Sequence, residues 1–156
     1  MVSGRKRTAL MESRTLMAMK AKRVDTWAAS MKDKPGSVAA KLRALAGAGV
    51  NLEFVIARRT PERRGAGVVF VTPIQSAAGK RAARKSGFRK TTSLHTVRIE
   101  GPDRKGACAR IAEALAANGL NLRGLSAAAV NRKFVAHVAL DSNADAAKAM
   151  RILRGL

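Results

Sequence analysis

The stretch DKPGSVAAKLRALAGAGVNL occupies residues 33–52, and DRKGACARIAEALAANGLNL occupies residues 103–122. The second begins 70 positions after the first and holds register to its closing Asn-Leu. Each copy opens on an acidic turn with a glycine. An Ala-rich segment with apolar residues at helical spacing follows: Val38, Leu42 and Leu45 in the first, Ile111, Ala112 and Leu115 in the second. Pro35 suits a first helical turn, and Gly49 suits the end of a helix. A chain of 156 residues that writes this unit twice is expected to fold as two copies of one small domain.

Working outward from the repeat, the flanking segments read as strands. Residues 24–31 can form a strand with Trp27 and Ala29 on one face. After the helix come VNLEFVIARR, a connection TPERRGAG, a second apolar run VVFVTP, a basic Ala-rich helix QSAAGKRAARKSG and a short FRKTT. The second copy repeats the order with LHTVRIE, LNLRGLSAAAV, KFVAHVAL and a final helix, then stops at Leu156 without room for a last strand. The order strand, helix, strand, strand, helix, strand predicts an α+β fold of two ferredoxin-like βαββαβ units, the second lacking its last strand. Its sheet edge is then left open, or covered by the neighbouring unit or a second chain. The expected divisions are a basic, disordered tail at 1–23, a first unit at 24–92 and a second at 93–156. No flexible linker separates the units, which predicts a rigid pair.

Apolar residues make up 47% of the chain and aromatic residues only 3%, so each core must be built from Ala, Val, Leu and Ile. Small units of this size bury a modest fraction of their surface. The single cysteine, Cys108, excludes an intrachain disulfide and suits a reducing compartment. No apolar run reaches the roughly 18 residues a bilayer span needs. The expected location is the cytoplasm, with no membrane partner. The net charge of +21 draws polyanions at low salt, whatever the function. It is spread over the tail, where Met11, Met17 and Met19 are alternative starts, and over residues 80–90, which hold six basic residues and no acid.

The repeated turn is also a chemical feature. A helix N-terminus presents backbone N–H groups without intrahelical partners at the positive end of the dipole. Gly36 and Gly106 leave the approach open, so the turn suits a carboxylate. Asn51 and Asn121, expected beside the turn at the start of the next strand, could donate to a carboxylate and accept from an ammonium. The same residues also have an architectural reading. Asp33 and Asp103 can cap helices, Gly49 and Gly119 can end them, and the asparagines can bridge backbone groups.

Asp33-Lys34-Pro35-Gly36 with Gly49-Val50-Asn51-Leu52, and Asp103-Arg104-Lys105-Gly106 with Gly119-Leu120-Asn121-Leu122, resemble the ACT domain family over nearly the whole chain outside the tail. The resemblance implies a free-standing tandem of ligand-sensing modules. Such modules usually bind an amino acid or similar small carboxylate at the interface between domains or subunits. It also implies a homo-oligomer, an unidentified downstream protein target, no cofactor and no enzymatic activity. The ligand-binding positions it implies are Asp33, Lys34, Pro35, Gly36, Ser37, Asn51 and Leu52, with Asp103, Arg104, Gly106, Asn121 and Leu122. Lys105 stands where the first turn has proline, so the first turn is the stronger candidate.

His95 and His137 fall on strands of the second unit without a carboxylate or cysteine partner, a poor metal set. Cys108 stands where the first repeat has Val38, and is expected to be a small core residue. No nucleophile motif or phosphate-binding glycine loop is present. The rival reading is a basic nucleic-acid-binding protein of the same strand order, weak and indifferent to sequence. RGAGVVFV imitates the start of an RNA-recognition strand, but Ala66, Val68 and Val71 occupy the expected stacking positions, and Phe70 is expected on the opposite parity.

Overall fold

Gly49 and Gly119 show why the repeated segments stop being helices where they do. Both have φ near +70°, a conformation only glycine adopts cheaply. Val50 N–H reaches back to the Leu45 carbonyl and Gly49 N–H to that of Ala46, and Leu120 and Gly119 do the same to Leu115 and Ala116. These are Schellman closures, and they turn the chain back toward the sheet.

The computed structural model describes residues 19–156, so the part of the expected tail at residues 1–18 lies outside the described residues. The chain divides into two units. The first spans Val24–Ser93. It contains β2 (Trp27–Lys32), α1 (Ser37–Ala46), β3 (Phe54–Arg59), β4 (Ala66–Thr72), α2 (Ala77–Lys85) and β5 (Arg89–Lys90), with sheet order β3-β4-β2-β5. β2 and β3 both run antiparallel to β4, so they are parallel to each other. Along β4, Gly67, Val69 and Val71 alternate inward while Val68 and Phe70 stand on the other face, half-buried. Val69 and Val71 join Trp27, Ala29, Leu45, Ile74, Ala83 and Phe88 in the core, with Leu42, Val50 and Leu52 packed against it.

The second unit combines Leu94–Leu156 with the described residues up to Arg23. β6 (His95–Pro102), α3 (Ala107–Ala117), β7 (Gly124–Val130), β8 (Lys133–Leu140) and α4 (Asn143–Arg154) repeat the first unit's order, and the segment ends without a closing strand. β7 and β8 meet at Asn131 and Arg132, both at positive φ, as a two-residue hairpin demands. Val97, Ile99, Ile111, Leu115, Ala136, Val138, Leu140 and Leu153 are fully buried in its core.

The sheet edge left by the missing strand is filled from the other end of the chain. β1 (Lys20–Val24) lies beside β6, in sheet order β1-β6-β8-β7. Met19 and Ala21 are buried in that core, whereas Lys20, Lys22 and Arg23 are exposed. Arg154 donates to the Ala21 carbonyl from Nε at 3.2 Å and from its terminal nitrogen at 3.0 Å, and Arg23 donates to Asn143 Oδ1 at 2.7 Å. Residues 20–23 are therefore a strand where the sequence predicted tail. Their inward alternation is only two residues long and is masked by three basic residues, Lys20, Lys22 and Arg23.

Candidate ligand site

The turn after β2 is held by its backbone and by one ion pair. Asp33 N–H donates to the Gly65 carbonyl at 2.9 Å, tying the turn to the β3–β4 connection. Asp33 Oδ2 lies 2.8 Å from Arg59 Nε at the end of β3. Gly36, at φ +83°, is the residue before α1, and no side chain caps that helix. In the second unit Asp103 N–H donates to the Arg132 carbonyl at 2.9 Å, and Gly106, at φ +76°, likewise precedes an uncapped α3. The other two helices among the described residues are capped, by the Ser76 and Ser142 hydroxyls. Neither aspartate is a helix cap, because the left-handed glycine occupies the capping position itself.

The two turns differ in what faces them. The β3–β4 connection holds six residues, 60–65, where the β7–β8 connection holds two. The longer connection brings Arg63, Arg64 and Gly65 opposite the turn. Together they enclose an open hollow of about 1140 Å³, lined also by Lys32, Asp33, Lys34, Pro35, Gly36, Ser37 and Lys41. Lys34 and Pro35 are exposed, and Ser37 is half-buried at the start of α1. Lys41 donates to the Ser86 carbonyl, which anchors the α1 side of the hollow.

Asn51 does not share this place. It was expected beside the turn, but β2 and β3 are parallel, so β3 begins at the opposite end of the sheet. Arg59 pairs with Gly67 near the turn, Phe54 pairs with Thr72, and Glu53 N–H donates to the Thr72 carbonyl. Asn51 lies beyond Phe54, so about 17 Å of strand separates it from the turn. Asn121 stands likewise before β7, whose neighbour Arg123 donates to the Ala139 carbonyl, far from Asp103, Arg104 and Gly106 at the Lys133 end. Asn51 and Asn121 are exposed, whereas Leu52 and Leu122 pack against the two cores.

The overall architecture has known counterparts. Protein BT0572 from Bacteroides thetaiotaomicron superposes with a TM-score of 0.70 at 19% identity, over 86% of this chain and 88% of that one. The regulatory subunit of aspartate kinase from Thermus thermophilus, in its ligand-free form, superposes at 0.60 and 17% identity, over 88% of this chain and 95% of that one. Both units have the ACT-type fold. The aspartate kinase of Clostridium acetobutylicum matches at 0.57 and 14% identity, this chain covering 33% of its length. No family model and no curated protein sequence matches.

Within the ACT-type frame, two other expectations change, those for Cys108 and Phe70. Cys108 is exposed, because the core-facing positions of α3 are Ala107, Ile111 and Leu115. His95 and His137 lie on adjacent strands but pair with Leu140 and Arg98 respectively, so they are not cross-strand partners. Among the described residues no group of three or more His, Cys, Asp or Glu could hold a metal. Phe70 has the parity expected of Val71. It stands with Ala66 and Val68 on the face away from the helices, its ring 5.7 Å from the Arg58 guanidinium, while Val71 is in the core. Among the described residues no helix is long and apolar enough to cross a membrane.

Proposed function

We propose that the protein is a regulatory small-molecule sensor and not an enzyme. Its ligand, an amino acid or similar small carboxylate, binds at the first unit's turn, through residues 33–37. The observation that carries this reading is the hollow itself. An uncapped helix N-terminus, an unobstructed glycine and a long basic connection converge there, and the second unit's short hairpin builds no equivalent wall. The ACT-type fold, shared with a regulatory subunit of aspartate kinase, supports a regulatory role. Such a sensor acts on another protein, and a cytoplasmic homo-oligomer is the form proposed for it.

A thermal-shift screen of the twenty amino acids and of small carboxylates on the full chain tests this. A ligand present at 100 times its Kd adds about 2.7 kcal/mol to the folded state, enough to raise Tm by several degrees. Gly36→Leu places a side chain in the open space beside the turn, lowers the starting Tm because φ is +83° there, and is expected to abolish the ligand-induced shift. A full set of ligands without any shift contradicts the reading.

A further inference from the structure

We propose that the hollow beside the Asp33 turn selects a small polyanion, a metabolite carrying at least two negative charges on phosphate or carboxylate groups, over an amino acid with a neutral side chain. This rests on the reading of that hollow as the ligand site.

Five basic residues line the hollow, Lys32, Lys34, Lys41, Arg63 and Arg64, against one acid, Asp33. Asp33 is already engaged by Arg59 at 2.8 Å. Glu62, the acid within the same connection, is not among the lining residues. An α-amino acid brings an ammonium as well as a carboxylate, and the ammonium needs an acceptor. Among the described residues the one carboxylate lining the hollow is paired, and the surrounding like charges repel a cation. The side chains of Lys32, Lys34, Arg63 and Arg64 have no hydrogen-bond or ion-pair partner among the described residues. Their charges converge on one concave surface with nothing from the protein to neutralise them. Two guanidiniums can each grip an oxyanion in bidentate fashion, and the lysines add point charges. A single carboxylate uses one of these groups, whereas a bisphosphate or tricarboxylate uses several at once. The first unit alone has the six-residue connection that carries Arg63 and Arg64, so the selectivity belongs to this turn and not to the repeat as such.

Isothermal titration calorimetry on the full chain separates the possibilities. The probes are inorganic pyrophosphate and citrate, which divide phosphate from carboxylate chemistry, together with glycine and leucine. At least one polyanion is expected to bind. R63E/R64E, on exposed positions, should weaken it at least tenfold with Tm unchanged, and K80S/R84S on α2 should leave it within twofold. Binding of glycine or leucine at the hollow without either polyanion overturns the ligand class and leaves the site standing. Polyanion binding lost in K80S/R84S and kept in R63E/R64E places the anion elsewhere and overturns the proposal. No binding of any probe overturns both the class and the site.

Discussion

At the residue scale, the glycines separate conformational demand from packing demand. Gly119 sits at φ +71° with open space where a Cβ would stand, so Gly119→Ala meets only backbone strain, roughly 1–2 kcal/mol. Gly124, in β7, has ordinary strand geometry, and a Cβ there would make normal contact with Ala139 at 3.8 Å. Gly124→Ala should therefore stabilise by roughly 0.5–1 kcal/mol. Denaturant melts of the two variants should move in opposite directions. Glu100 offers a pH test. Its hydrogen bond from Arg98 at 2.9 Å, opposed by desolvation and reinforced by the charges of Arg98, Lys133 and Lys20, holds its carboxyl below the ordinary 4.5. A depressed carboxyl stabilises the fold above the unfolded value, and that contribution is lost as pH falls through the folded value. An NMR titration should find the Glu100 midpoint below 4.5 and see it rise in Arg98→Ala. The sequence announced the glycines, because the repeat writes them twice, but it could not show that Gly36 and Gly106 take the capping position from Asp33 and Asp103.

At the element scale, the helices and strands of the repeat were legible because their apolar spacing is regular and each copy supports the other. β1 was not, because a strand with two inward residues leaves no periodic signal among lysines and arginines. Its contribution is testable. Ala21→Asp puts a charge where a buried methyl packs beside Met19, a change that costs several kcal/mol or expels the strand. Amide hydrogen exchange in β6 should then accelerate while β3 and β4 keep their protection; unchanged β6 exchange would show that β1 adds nothing to that edge. The contact between α2 and the end of α1 gives a second test. A Cβ on Gly79 would lie 2.7 Å from Val50 Cγ2 and 2.9 Å from the Ser76 hydroxyl that caps the helix. Helix propensity favours alanine there by about 1 kcal/mol, but overpacking a stiff valine and the cap costs about 1–3 kcal/mol. Gly79→Ala should lower Tm, and a rise would show that α2 can shift to make room.

At the scale of the whole molecule, the repeat made the ACT-type fold readable, but the asparagines stand at the far end of the sheet from the turns. A right-handed crossover returns the chain to a parallel strand at the far end of the sheet, which separates Asn51 from the Asp33 turn. The long connection that builds the hollow is visible in sequence as TPERRG, where the second copy has only two residues, and its importance appears only when it is seen facing the turn. The charge of +21 remains a rival for function. Phe70, half-buried on the sheet face away from the core with Arg58 over its ring, removes the parity argument against nucleic-acid binding. If oligonucleotides bind only through phosphate contacts at residues 80–90, affinity should fall by orders of magnitude between low salt and about 0.2 M salt. Tight, sequence-selective binding surviving that salt would favour the nucleic-acid reading. The central claim, a ligand site at the first unit's turn, is tested most directly by backbone amide NMR of the full chain during titration with pyrophosphate, citrate and the amino acids. Shifts concentrated at residues 30–41 and 63–66 are expected. Shifts centred on residues 80–90 or on Asn51, with residues 33–37 unmoved, would contradict it.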